Sequence, residues 1–173
     1  MQGKLIIPTG KRDHILGDLG APIEIVEYGD YQCPYCGMAY PIIKQLQSKL
    51  GKKLRLIFRN FPLSEMHENA LNAARAAEAA GKQGKFWEMH DILYENQEQL
   101  YQYDLERYAI QLGLDMTEFK RDISSKEIEN RIASDFDSGT RSGVNGTPTF
   151  FVNGQRYDGD WELGSFLNYL ESI

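Results

Sequence analysis

The hydrophobic pattern opens with a dense apolar stretch from Ile23 to Tyr28, rich in β-branched residues and bounded by turn signals at Pro22 and Gly29. It predicts a buried strand with Glu27 as its polar exception. Beyond Cys36 the spacing changes, and Met38, Ile42, Ile43, Leu46 and Leu50 recur at helical intervals as far as Gly51. A helix therefore starts at the cysteines and ends there, with Pro41 inside it as an expected kink. Leu54, Leu56 and Phe58 then alternate with Arg55, Ile57 and Arg59, which predicts a second strand over Leu54 to Asn60, parallel to the first through the helical crossover.

From about residue 64 to residue 137 the pattern is helical. An alanine-rich run from Glu68 to Ala80 is closed by Gly81, and Phe86, Met89, His90, Leu93 and Tyr94 share one face. Asp104, Asp115 or Thr117, and Ser125 are the expected N-caps of three further helices, the last bearing Ile128, Ile132 and Phe136. Strand signals return at Thr149 to Val152 and Gln155 to Tyr157, flanking the hairpin dipeptide Asn153-Gly154. Trp161 to Ile173 reads as a closing amphipathic helix with Phe166, Leu167 and Leu170 inward. The order predicts an α/β fold: a mixed central sheet covered by helices on both faces, with an all-helical insertion between the second and third core strands. One domain is expected over residues 1–173, with its core at about 20–63 and 139–173 and its insertion at about 64–138.

At 173 residues and 42% hydrophobic content the chain builds an ordinary core without metals or disulfides. Its net charge of −6 argues against nucleic acid and anionic membrane surfaces as partners. The basic cluster Lys44, Lys49, Lys52, Lys53, Arg55 and Arg59 reads as a solvated helix end and strand face. Among the first twenty residues only Leu5-Ile6-Ile7 is an apolar run, too short for a signal or a membrane span. The expectation is a cytoplasmic location, or a periplasmic or extracytoplasmic one if a signal peptide has been removed.

Chemistry enters with the two cysteines, which both lie in Cys33-Pro34-Tyr35-Cys36. A pair this close closes almost no loop and so does little for stability, which points to reactivity. A thiolate attacks disulfides, and an unperturbed thiol with a pKa of about 8.5 supplies only a few per cent of it at neutrality. At a helix start, with Pro34 at the first helical position, unpaired amides and the helix dipole stabilise a Cys33 anion. Cys36, one turn deeper, is the expected resolving thiol. Glu27 lies beneath the helix start, as a desolvated proton-exchange partner for Cys36 or as a strand-edge side chain reaching water. Asp30 is expected to be exposed. Gly146-Thr147-Pro148-Thr149 reads as a turn that opens a strand. Zinc would need both cysteines and two of His14, His67 and His90, and the chain has no second closely spaced ligand pair, so neither a metal nor a bound cofactor is expected.

Four segments taken in order resemble the DsbA-like branch of the thioredoxin superfamily. They are Val26 to Cys36, Phe58 to Leu63, Gly84 to Asp91 and Gly143 to Gly154. The resemblance implies a thioredoxin fold with a helical insertion and a thiol–disulfide oxidoreductase. It makes Cys33 the nucleophile, Cys36 the resolving thiol and Glu27 the buried acid. Pro148 becomes the cis-proline facing the cysteines, with Thr147 presenting its backbone to substrate and Pro34 and Tyr35 beside it. The implied partners are cysteine-containing proteins or small thiols such as glutathione, with a further redox partner to reset the pair. Tyr35 stands where the strongly oxidising relatives carry histidine, which implies a weaker oxidant. The rival readings are a glutathione-dependent kappa-type transferase or isomerase, which needs no Cys36, and a non-catalytic binding module.

Overall fold

The structure, a computed structural model, describes residues 3–173. In chain order the elements are β1 (His14–Leu16), β2 (Ile23–Gly29), α1 (Pro34–Leu50), β3 (Leu54–Asn60), α2 (Ala70–Lys82), α3 (Phe86–Glu95), α4 (Gln102–Gln111), α5 (Met116–Ile123), α6 (Lys126–Arg141), β4 (Thr149–Val152), β5 (Gln155–Tyr157) and α7 (Leu163–Glu171). The sheet runs β1-β3-β2-β4-β5. Only β2 and β3 are parallel, as the crossover through α1 requires, and the other pairs are antiparallel. α2 to α6 lie between β3 and β4, where the insertion is expected.

Alternation along β2 and β3 sends side chains to two cores. Ile23, Ile25, Leu54 and Leu56 pack with Ala39, Ile43 and Leu46 of α1 and with Phe166 and Leu170 of α7. Val26, Tyr28, Ile57, Phe61 and Phe151 form the opposite face. There α6 rests directly on the sheet, because a Cβ at Gly139 would lie 2.9 Å from the rings of Tyr28 and Phe61. Phe58 and Tyr31 reach instead into the insertion, whose core is built from α2 alanines, Phe86, Met89, Leu93 and Phe119. Small alanines let α2 sit close to its neighbours at little entropic cost.

Several details depart from the sequence reading. β1 carries no periodic signal in three residues, and it forms because β3 offers an edge and His14 finds Glu78 at 2.9 Å while stacking on Phe86. α2 runs through Gly81 to Lys82. Asp104 is not the N-cap of α4; Tyr101 is, with Asp104 at the third helical position accepting from the Tyr101 amide. Asp115 and Ser125 do cap α5 and α6 through their side chains. Met38 and Phe136, expected inward, are exposed, with Phe136 stacked on Phe61. The hairpin dipeptide behaves as expected, Asn153 and Gly154 both taking positive φ.

Arg59 is the largest departure: it is buried, not solvated. Its Nε and Nη2 grip Asp13 at 2.8 and 3.0 Å, while the rest of the guanidinium donates to the carbonyls of Ile7 and Pro8 and to the Tyr28 hydroxyl. One side chain thus ties residues 7–13 across the sheet. Removing one member of a buried pair leaves the other charge uncompensated. Arg59→Met is therefore expected to lose about 3–5 kcal/mol of stability in urea denaturation. Arg59→Met combined with Asp13→Leu should recover much of that loss.

Candidate active site

Cys33 ends the loop that leaves β2 and is the residue from which α1 starts, in extended conformation with Pro34 following as the first helical residue. Asp30 fixes this loop. Its Oδ1 accepts from the amides of Gln32 at 2.7 Å and Cys33 at 3.2 Å, its Oδ2 accepts from the amide of Leu63 at 2.9 Å, and His67 Nδ1 lies 2.8 Å from Oδ2. Its carbonyl takes a further bond from the Cys33 amide at 3.1 Å. Asp30, expected at the surface, is instead buried because two loops turn their otherwise unpartnered amides toward it. The readable signal was an Asp three residues before a helix-starting cysteine, a side chain suited to an Asx turn.

Both cysteines are free thiols, and they differ in surroundings. Cys33 is 3% exposed, and its Sγ approaches the Thr147 carbonyl at 3.5 Å. The Thr147–Pro148 bond is cis, and the contact of the Thr147 carbonyl with Cys33 brings the loop before β4 against the start of α1. Thr147 Oγ1 is buried and makes no hydrogen bond, and the hydroxyl favours the anionic form of the neighbouring Cys33. The Cys33 thiol is held down to about 5, chiefly by a hydrogen bond from Cys36, against the opposing effect of burial, and further by the Thr147 side chain and the backbone amides of Cys36 and Tyr35. Cys36 is fully buried, and burial pushes its pKa well up, reinforced by its hydrogen bond to Cys33 and by the Glu27 charge.

Glu27 sits on the central strand, in register between Phe58 of β3 and Phe150 of β4. Those apolar neighbours and α1 above leave it 2% exposed, which excludes the strand-edge reading. Its Oε1 has no partner, and the carboxyl lines a cavity of about 10 Å³, the size of a single water, shared with Lys44, His90 and Asp91. Burial pushes its pKa up to about 8, with the Cys33 charge adding to the effect. Tyr94, expected only as a packed aromatic on one helix face, brings a buried, unpartnered hydroxyl whose pKa is raised by burial and by the charge on Cys36. Pro34 and Tyr35 are exposed beside Cys33, Tyr35 at 63%. His67 goes to Asp30, and His90 Nδ1 shares a hydrogen bond with the Tyr31 hydroxyl at 3.0 Å inside a cluster of aromatic rings. Among the described residues no group of three or more His, Cys, Asp and Glu is arranged to hold a metal ion.

The family model described as Thioredoxin matches residues 9–172. Among solved structures, a thioredoxin-like oxidoreductase from Silicibacter pomeroyi DSS-3 superposes with a TM-score of 0.83 at 29% identity, over 94% of this chain and 92% of that one. Wolbachia pipientis alpha-DsbA1 gives 0.82 at 25% identity over 98% and 94%. BdbD from Bacillus subtilis, at 22% identity over 99% and 96%, shares the fold with a TM-score of 0.83. The curated relatives carry a different name. The Na(+)/H(+) antiporter NhaA 3 of Salinispora tropica is 44% identical over 160 residues, 92% of this chain and 24% of that protein. The Na(+)/H(+) antiporter NhaA 1 of Mycobacterium sp. (strain KMS) is 42% identical over 164 residues, 94% and 27%. The chain spans about a quarter of the length of the curated relatives it matches. Among the described residues no helix is long and apolar enough to cross a membrane.

Thr147→Val keeps the shape of the loop and removes its hydroxyl. It is expected to raise the Cys33 pKa by about one unit, read as a roughly tenfold slower alkylation below pH 5 with little change at pH 8. Glu27 sets a second expectation, with its folded pKa above the unfolded value of 4.5. Between pH 4.5 and about 8 the folded protein keeps a proton that the unfolded chain has lost, so this group subtracts stability as pH rises through that window. Glu27→Gln should match the reduced parent in unfolding free energy near pH 4.5 and exceed it increasingly up to about pH 8, by an amount on the order of a few kcal/mol in urea denaturation.

Proposed function

The chain belongs to the thioredoxin family, and on that footing we propose that it is a thiol–disulfide oxidoreductase that exchanges disulfides with cysteine-containing proteins or small thiols through Cys33 and Cys36. One observation carries the reading: two thiols one helical turn apart have been driven in opposite directions, Cys33 toward the anion and Cys36 toward the neutral form. That asymmetry suits a nucleophile and a resolving group, and it gives Cys36 a task that the kappa-type reading lacks. The transport named in the curated relatives is not carried over, since this chain spans only about a quarter of them.

The Cys33 thiolate attacks one sulfur of a substrate disulfide; a Cys33–substrate S–S bond forms, the substrate S–S bond breaks, and one substrate sulfur leaves as thiolate. The negative charge on Cys33 has then gone. That charge was one cause of the raised pKa of Glu27 and of Cys36, so both become easier to ionise at the moment when resolution needs it. Glu27 passes its proton to the departed substrate thiolate and, now a carboxylate, takes the Cys36 proton; Cys36 attacks the Cys33 sulfur, and the second substrate sulfur departs as thiolate, leaving a Cys33–Cys36 disulfide, a protonated Glu27 and a substrate reduced by two electrons. Run backwards, the same steps oxidise a substrate dithiol. Thr147 and Pro148 border the approach to Cys33, which suits an extended peptide recognised through its main chain.

A Cys33 pKa of about 5 falls between that of thioredoxin, about 7, and that of the strongly oxidising DsbA, about 3.5. With Tyr35 in place of histidine, the reading gives a reduction potential of roughly −170 to −240 mV. For the cytoplasmic location expected from the sequence, the glutathione poise keeps such a pair largely as the dithiol, so reduction or isomerisation is the direction proposed. In an oxidising compartment the same pair would be held as the disulfide.

Equilibration with glutathione redox buffers measures the potential, and a value near −120 mV, that of the strongest oxidant, would contradict the Tyr35 argument. Insulin reduction and refolding of scrambled ribonuclease test the activity itself. Cys36→Ser should lose turnover and accumulate a mixed disulfide on Cys33, whereas Cys33→Ser should trap nothing. Full turnover without Cys36 would favour the kappa-type reading, and inactivity of the parent in every redox buffer would favour a binding module.

A further inference from the structure

Gln97 belongs to the turn between α3 and α4, inside the helical insertion and 64 residues from Cys33 in the chain, yet its Nε2 donates to the Cys33 carbonyl at 2.8 Å. The same nitrogen donates to the Tyr31 carbonyl at 3.0 Å. Both acceptors are carbonyls, so only the NH₂ end of the amide satisfies them and its orientation follows from chemistry. The other end fills the space where a side chain at Gly37 would stand: a Cβ there would lie 2.0 Å from Gln97 Oε1 and 2.6 Å from its Cδ. Gly37 is the notch through which the insertion reaches the active-site turn.

The turn that bears Gln97 is itself anchored. Tyr40 donates to Glu95 at 2.9 Å and Lys44 to Asp91 at 2.8 Å, so Gly37, Tyr40 and Lys44, at helical spacing along α1, meet Gln97, Glu95 and Asp91 in one polar seam. Asn96 closes the end of α3 by donating to the Ile92 carbonyl. The Cys33 carbonyl also accepts the first helical bond, from the Gly37 amide at 3.1 Å, and the next turn is the weaker one. Pro41 lies inside the helix and has no N–H, so the Gly37 carbonyl receives no bond from the residue four positions on.

We propose that Gln97 is a positioning residue for the redox pair, holding the Cys33 turn from the insertion, and that position 37 is glycine in order to admit it. The inference rests on the reading of Cys33 and Cys36 as redox-active. The two carbonyls that Gln97 binds are the negative ends of peptide dipoles beside the sulfur. Two N–H groups on them offset that potential and keep the Tyr35 and Cys36 amides aimed at the thiolate. Gln97 touches no reacting atom, and its effect passes through the backbone.

The test is the pH profile of iodoacetamide alkylation at Cys33 in the reduced full chain, comparing the parent with Gln97→Leu and Gly37→Ala. Both variants are expected to shift the inflection upward by about half to one unit, a threefold to tenfold slower reaction at pH 4, with equal rates at pH 8. Profiles that superimpose on a low parent value, whatever the melting temperatures, overturn the inference while leaving the redox reading intact. A parent that titrates near 8.5 overturns the redox reading, and this inference with it. A thermal double-mutant cycle tests the notch separately. Gly37→Ala should destabilise the protein that retains Gln97 and cost little in the Gln97→Ala background, and additive effects would overturn the claim.

Discussion

The charge on one sulfur is the constraint around which this molecule is arranged. A thiolate in a nearly closed site is costly unless donors converge on it, and those at Cys33 come from three places: the Cys36 thiol, the amides of the first helical turn and the Thr147 side chain. Two of these are local to the tetrapeptide. The third arrives from a loop 114 residues away, and it arrives only because β4 pairs antiparallel with β2 so that Thr149 stands opposite Tyr28. Stabilising the anion and closing the sheet are therefore one structural event.

The same pairing explains the buried acid. β2 is central, so a side chain pointing from Glu27 toward α1 meets Phe58 on one neighbour and Phe150 on the other, with helix above and no path along an edge to water. A carboxyl in that position stays protonated at neutrality while Cys33 carries its charge. The anion and the acid are thus coupled: discharging the first eases ionisation of the second. In the proposed reaction that order of events needs no moving part, since a covalent bond formed at Cys33 sets it off.

Around this centre the fold spends buried polar groups on holding loops in place. Asp30 gathers the amides on either side of the active-site turn, and Arg59 binds the segment before β1 to the sheet. Asn60 links the carboxylates of Glu78 and Asp135, joining the end of β3 to α2 and α6. The Asn60 network uses only the donor end of the amide, and its Oδ1 is buried without a partner. Specificity of loop placement is what these networks supply.

Much of this was written locally. The apolar periods of β2, α1 and β3, the Asn153-Gly154 hairpin and the caps at Asp115 and Ser125 all follow from short-range spacing, and so does a cysteine pair at a helix start, because helix ends, turns and strand faces are decided within a few residues. Other features exist only once distant segments have met: the edge strand β1, the burial of Asp30 and Arg59, the closure over Glu27, and the contact of Gln97 with the Cys33 turn. A polar residue reads the same in sequence whether it faces water or a partner, since its burial depends on donors and acceptors carried by other parts of the chain. The chemistry of the two thiols and the order of their acidities were legible in four residues, while the Thr147 loop and the buried Glu27 that act on them were brought there by the tertiary structure.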